Sequence, residues 1–245
     1  MTAAAIAFAP KNGLMCFMDR TSICKSELAR RRLGLQHFGR LGLIGGTICL
    51  TGATAIAAFG SAAGLLALPM PLSMLDERLP GIFRLHMAAS GVGLFLLPVT
   101  LLLRRGGALH RALGTTTAAA FVIGAVCAIP SALMSESKPL ARAGFLTQAI
   151  VGLIFLLAGL RAIKARRGGD HRTWMTSAAA IFSGAIVLRL MLAGGMALRL
   201  PFETSYTTSA WASWLMPLGA LWLWRARPLG RRRALGAELG AKPRL

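Results

Sequence analysis

Apolar residues in this chain run in long blocks separated by short polar connections, and six such blocks stand out. They span Leu41 to Leu68, Phe83 to Leu103, Ala112 to Met134, Ala143 to Ile163, Trp174 to Leu198 and Tyr206 to Trp224. Each is close to the roughly 20 residues that an α-helix needs to cross a hydrocarbon core of about 30 Å. The pattern predicts an all-α polytopic membrane helix bundle of six transmembrane helices. Residues 1–40 form a basic arm before it, 41–224 the membrane domain and 225–245 a basic tail expected to lack structure beyond the membrane surface.

The polar connections carry an internal echo. Arg104-Arg105-Gly106-Gly107-Ala108-Leu109-His110-Arg111 is answered by Arg166-Arg167-Gly168-Gly169-Asp170-His171-Arg172, and a small, Thr-containing apolar helix follows each. Such repetition marks one supersecondary unit used twice, and in membrane proteins ligands sit where repeats meet. The second and third blocks form one hairpin (83–134) and the fourth and fifth another (143–198). Aligning the RRGG segments with an offset of 62 places His86 opposite Gln148. The expectation is a four-helix core with an approximate two-fold along the membrane normal. Small residues at Ser90, Gly91, Gly93, Ser177, Ser183 and Gly184 would let its helices approach closely.

Charge turns the bundle into an orientation. The net charge is +20, but the cations lie between apolar blocks instead of on a polar domain, which argues against nucleic acid as a partner. Of 28 Lys and Arg, 22 fall in the arm, the Arg104 loop, the Arg161 to Arg172 loop and the tail. Because basic loops are retained on the cytoplasmic side, both termini are expected there, with the arm and tail against anionic lipid in a bacterial inner membrane. The first block is too long for a cleaved signal, Arg31-Arg32 is a weak twin-arginine signal, and Met15 and Met18 are alternative starts.

Two ionisable groups fall inside the blocks. His86 and Arg189 both count to the outer third of the bilayer, and none of the six blocks contains an Asp or Glu. Arg189 therefore needs a partner from an outer loop, from helix carbonyls or from a bound anion; Glu203, Glu136, Asp76 and Glu77 are the acidic candidates. Arg189 is expected to face inward near His86, held by Glu203, with Gln148 or Ser90 beside it. The bland alternative has Arg189 reaching up to lipid phosphates and His86 satisfied by Gln148 or Ser90.

His110 and His171 stand at equivalent places in the repeat. Two neutral imidazoles facing each other across a bundle would ligate a b-type haem iron, with Arg111, Arg172 or the RRGG arginines for its propionates. As bland alternatives, the two rings cap their helices or touch headgroups. His37 is incidental, and Cys16, Cys24, Cys49 and Cys127 show no metal-ligand spacing. The chain has no G-x-x-x-x-G-K-[ST] loop, G-x-S-x-G elbow, H-E-x-x-H pair or paired carboxylates, so no catalytic constellation is readable.

Several of these residues recur in order along 83–224: His86 with Gly91, His110-Arg111-x-Leu113-Gly114, His171-Arg172-x-Trp174-Met175, Leu188-Arg189-Leu190, and Leu200-Pro201-Phe202-Glu203 with Tyr206, Trp211 and Trp214. In this the chain resembles the bacterial membrane proteins grouped as domain of unknown function 2306. The resemblance implies a membrane protein whose customary polar residues are His86, His110, Arg111, His171, Arg172, Arg189 and Glu203. Taken together, the expectation is a core that binds a small redox-active or amphipathic ligand, haem b or a quinone, with lipid or a redox protein as partner. The competing expectation is a non-enzymatic membrane component that binds lipid or a partner protein.

Overall fold

The computed structural model describes residues 45–68, 70–104 and 106–240, with the side chains of 70, 71 and 227–240 excepted. The arm, and with it His37, Cys16 and Cys24, lies outside the described residues. The described residues from Thr47 onward belong to one compact unit. Among the described residues every regular element is a helix.

Among the described residues five helical stretches are long and apolar enough to cross a membrane. They are α1 (Gly45–Ala62), α3 (Pro80–Leu102), α4 (Ala108–Met134), α5 (Pro139–Lys164) and the combined stretch Gly168–Ala197, while the short α2 (Met70–Arg78) links α1 to α3. Pro80 and Pro139 open α3 and α5, where a missing N–H costs nothing. Pro98 and Pro130 lie inside α3 and α4, and neighbouring helices make such breaks tolerable within a membrane.

The sixth apolar block belongs to α8 (Phe202–Gly240), whose Trp, Ser and Thr content leaves it outside the five. Its helix does not stop at Trp224. The tail expected to lack structure continues as helix to Gly240, because its Arg, Leu and Ala are good helix formers.

The fifth block is not one helix either. It is broken at Ser183 into α6 (Gly168–Phe182) and α7 (Gly184–Ala197). The Ile186 N–H reaches back only three residues, to Ser183 O at 2.9 Å, and Ser183 Oγ donates to Ala180 O at 2.7 Å. A Ser-Gly pair whose hydroxyl competes for backbone acceptors is a recognised cause of such breaks.

Within the bundle α3 packs on α4, α4 on α5, α5 on α6, and α8 covers α5, α6 and α7. Gly91 brings α3 against Ala55, Ala58 and Phe59 of α1. At the centre, Leu94, Ala118, Phe121, Leu156 and Ala178 form the buried cluster, and the rings of Phe121 and Phe182 stack with centroids 4.2 Å apart. Gly93 and Gly152 make room for those rings: a methyl group on either would approach Phe121 or Phe182 to 2.8 or 3.0 Å. Large apolar side chains such as Phe95, Leu102, Ile154, Leu190 and Leu223 stay exposed, the exterior that a lipid-facing bundle presents.

Candidate functional site

Both RRGG segments deliver a histidine to the first turn of a helix, and each imidazole turns back onto its own hairpin. His110 Nδ1 donates to Thr100 O of α3 at 3.1 Å, and His171 Nδ1 to Gly159 O of α5 at 2.8 Å. A carbonyl accepts only, so each Nδ1 carries a proton and a neutral ring keeps its lone pair on Nε2. Each ring is thus tied within its own hairpin, not to the other ring. Thr100 lies in the last turn of α3, where carbonyls lack helical partners. The Thr100 and Thr117 hydroxyls, 3.1 Å apart, add a second link there. Arg111 and Arg172 follow the two histidines and are exposed.

The other pair of equivalent residues also bonds within its hairpins. His86 Nδ1 donates to Gly124 O of α4 at 2.7 Å, and Gln148 Nε2 to Ile181 O of α6 at 3.1 Å. His86 is therefore satisfied by a backbone carbonyl, not by Gln148 or Ser90. Ser90 still shapes the spot, because a methyl group on Gly124 would lie 2.6 Å from its Oγ. Gln148 acts at the break, and a methyl on Gly184 would sit 2.8 Å from its Nε2.

Arg189 turns back along its own helix. Its Nη1 donates to Ala185 O at 2.9 Å, one turn back towards the break, so the guanidinium lies deeper in the bundle than its own Cα. Ala185 packs on the Phe121–Phe182 cluster. Gly124 lies three residues beyond Phe121 and Ala185 three beyond Phe182, so the stacked rings carry the anchors of His86 and Arg189 on either side. The candidate niche is made of that aromatic stack, a guanidinium with most of its N–H donors uncommitted, and an imidazole oriented by Gly124 O.

Glu203 is not part of it. It pairs with Lys138, while Arg78 pairs with Glu136 and Arg84 Nη2 with Asp76 Oδ2 at 2.9 Å. Eight residues of α7 follow Arg189, about 12 Å of helix at 1.5 Å per residue, which puts Glu203 beyond its reach. Among the described residues no carboxylate meets Arg189.

Three features escaped the sequence reading. Ser205, Ser209 and Ser213 recur every four residues on α8, a spacing readable in the chain, and face the bundle. Ser209 donates to Ser205 O, whereas the buried hydroxyls of Ser205 and Ser213 have no partner. Near the RRGG end, Arg225 of α8 bonds Thr176 Oγ1 and Ser177 Oγ of α6, the latter at 3.2 Å. The third is the break at Ser183. Among the described residues no group of three His, Cys, Asp or Glu is placed to hold a metal ion; two axial imidazoles would be a smaller donor set.

A family model described as "Predicted membrane protein (DUF2306)" matches residues 83–224, more than half of the sequence, and the chain belongs to that family. No curated protein and no solved structure matches it.

Proposed function

We propose that this member of the DUF2306 family is a six-span protein of the bacterial cytoplasmic membrane that binds a small amphipathic molecule at the His86–Arg189 niche. Both termini are cytoplasmic in this reading, in line with the distribution of Lys and Arg, and the niche lies in the outer half of the bilayer. The observation that carries it is Arg189: a guanidinium in a long apolar helix whose hydrogen bond goes to the carbonyl of Ala185, a residue packed against the central cluster, with no acid beside it among the described residues. Such a group is costly in a membrane unless something completes its hydrogen bonding. A ligand head with acceptor oxygens would complete it, and an apolar tail would lie along Phe121 and Phe182. Quinones are the redox-active members of that ligand class.

A duplicated core supports the same location. With an offset of 61, His110 matches His171, Phe121 matches Phe182 and Gly124 matches Ala185. Residues related by a two-fold meet where they cross the axis, and a stack of Phe121 on Phe182 is the kind of contact such an axis would make. The niche then sits beside the axis.

Thermal unfolding of the detergent-purified protein, titrated with a short-chain quinone and with other amphiphiles, tests the proposal. A ligand at 100 times its Kd stabilises the folded state by about 2.7 kcal/mol, which a melting curve resolves. Absence of any shift across the series overturns it. The Nδ1–H bonds of His110 and His171 favour one second reading, since a ring fixed this way offers Nε2 to a haem iron. The reduced-minus-oxidised absorption spectrum of the same preparation decides that reading, and a featureless spectrum from haem-replete cells removes it.

A further inference from the structure

Resting on the niche described above, we propose that the ligand head is anionic, a carboxylate or phosphate monoester on an apolar chain, and that it enters sideways from the lipid between α3 and α7.

The charge balance points to an anion. Among the described residues near the Glu136 end, three acids are committed elsewhere, Asp76 to Arg84, Glu136 to Arg78 and Glu203 to Lys138, while Glu77 is exposed on α2. Arg189 is left with a fork of N–H donors whose planar geometry fits two oxygens of one carboxylate or phosphate. A neutral head would satisfy hydrogen bonds but leave the charge uncompensated. His86 has Nδ1 already committed to Gly124 O, which leaves Nε2 as its one remaining polar atom.

The direction of entry follows from what is tied and what is open. The 135–138 loop is bonded on both sides, through Glu136 to Arg78 at the α2–α3 junction and through Lys138 to Glu203 at the start of α8. Arg142 also donates to Leu133 O, across the same loop. The connections at this end are therefore clasped together over the bundle. By contrast α3 and α7 are not among the helix pairs that pack closely on one another. The immediate neighbours of the two polar residues, Leu85 and Leu190, are both about half exposed at 50% and 54%. A molecule already dissolved in the bilayer reaches Arg189 without opening the clasp.

The test is a melting series on the full-length protein in a neutral detergent, with dodecyl phosphate, laurate, dodecanol, decyl-ubiquinone and inorganic phosphate as probes. Dodecyl phosphate or laurate should raise the midpoint at concentrations about tenfold or more below those at which dodecanol acts, a ratio equal to 1.4 kcal/mol. Inorganic phosphate should do nothing at matched concentration. Arg189→Gln should abolish the preference for the charged probes, and Arg189→Lys should keep part of it. The wild-type ratio of dodecyl phosphate to dodecanol needs no variant and stands even if Arg189→Gln fails to fold. If dodecanol and decyl-ubiquinone bind as well as the acids, the anionic head is wrong while the niche remains. If inorganic phosphate stabilises as strongly as dodecyl phosphate, entry is from water and the lateral route is wrong. If no probe shifts the midpoint, both the inference and the niche fall.

Discussion

The two hairpins use the same device with different outcomes. In the first, His86 of α3 bonds Gly124 O in the middle of α4, an unbroken helix of 27 residues. In the second, Gln148 of α5 bonds Ile181 O in the last turn of α6, and the strand of helix breaks two residues later. The flanks differ too, since α3 lies against α1 through Gly91 whereas the second hairpin is covered by α8. Cover is what makes the break tolerable: irregular backbone at membrane depth survives only where protein or a cavity shields it. The break in turn puts Ala185 in the first turn of α7, where its carbonyl receives Arg189. An intact helix presents apolar side chains at the matching positions, Val122 and Ile123.

The largest effect should come from filling the space at the break. A side chain on Gly184 meets not only Gln148 but also Ser213 O and Trp214 Cβ, both at 3.2 Å, and helix backbone cannot step aside as a side chain tip can. Gly184→Val should cost about 3 kcal/mol by overpacking and lower the yield of monodisperse protein. Gly194, on the same helix, has nothing within 4 Å of an added carbon, so Gly194→Val is the matched control and should melt near wild type. Equal melting of the two variants would mean that α7 and α8 do not approach as described.

That contact shows what the chain makes legible and what it hides. The apolar blocks are readable because length and hydropathy suffice, and His86 and Arg189 stand out in them as ionisable groups. The break is hidden because Ser183 and Gly184 read equally well as small packing residues in a straight helix. Glu203 misleads because it is acidic and near in sequence, while the length of α7 that separates it from Arg189 appears only once the helix is traced. Its true partner, Lys138, comes from a different loop, and no local pattern announces that pairing.

A smaller effect separates the two polar donors. Gln148→Leu removes the side chain that braces the tightened turn at Ser183, where Ile181 O has only a cap amide besides. His86→Leu leaves Gly124 O inside a regular helix with its own backbone donor. Interhelical hydrogen bonds in membranes average about 0.6 kcal/mol with a maximum near 1.7, so the Gln148 variant should lose about 1.5 kcal/mol and the His86 variant about 0.5. Unfolding in a denaturing detergent titration ranks them. A His86 loss equal to or above that of Gln148 would show that the imidazole does more than brace α4.

The finest distinction lies at the RRGG end, between two histidines that the repeat makes equivalent. Thr100 is two residues from the end of α3, so the proton of His110 serves a carbonyl with no helical partner of its own. Gly159 is five residues from the end of α5, and its carbonyl is within reach of a normal helical amide. If capping is the whole of their role, His110→Leu should cost about 1 kcal/mol and His171→Leu a few tenths. Because the rings bond separate hairpins, the double variant should then lose the sum of the two within about 0.5 kcal/mol. A shared ligand predicts otherwise. Two rings holding one iron would each remove most of the stabilisation when lost, and the second loss would add little to the first. Unequal and additive losses leave His110 and His171 as caps, while equal and strongly coupled losses would make them a pair with something held between them.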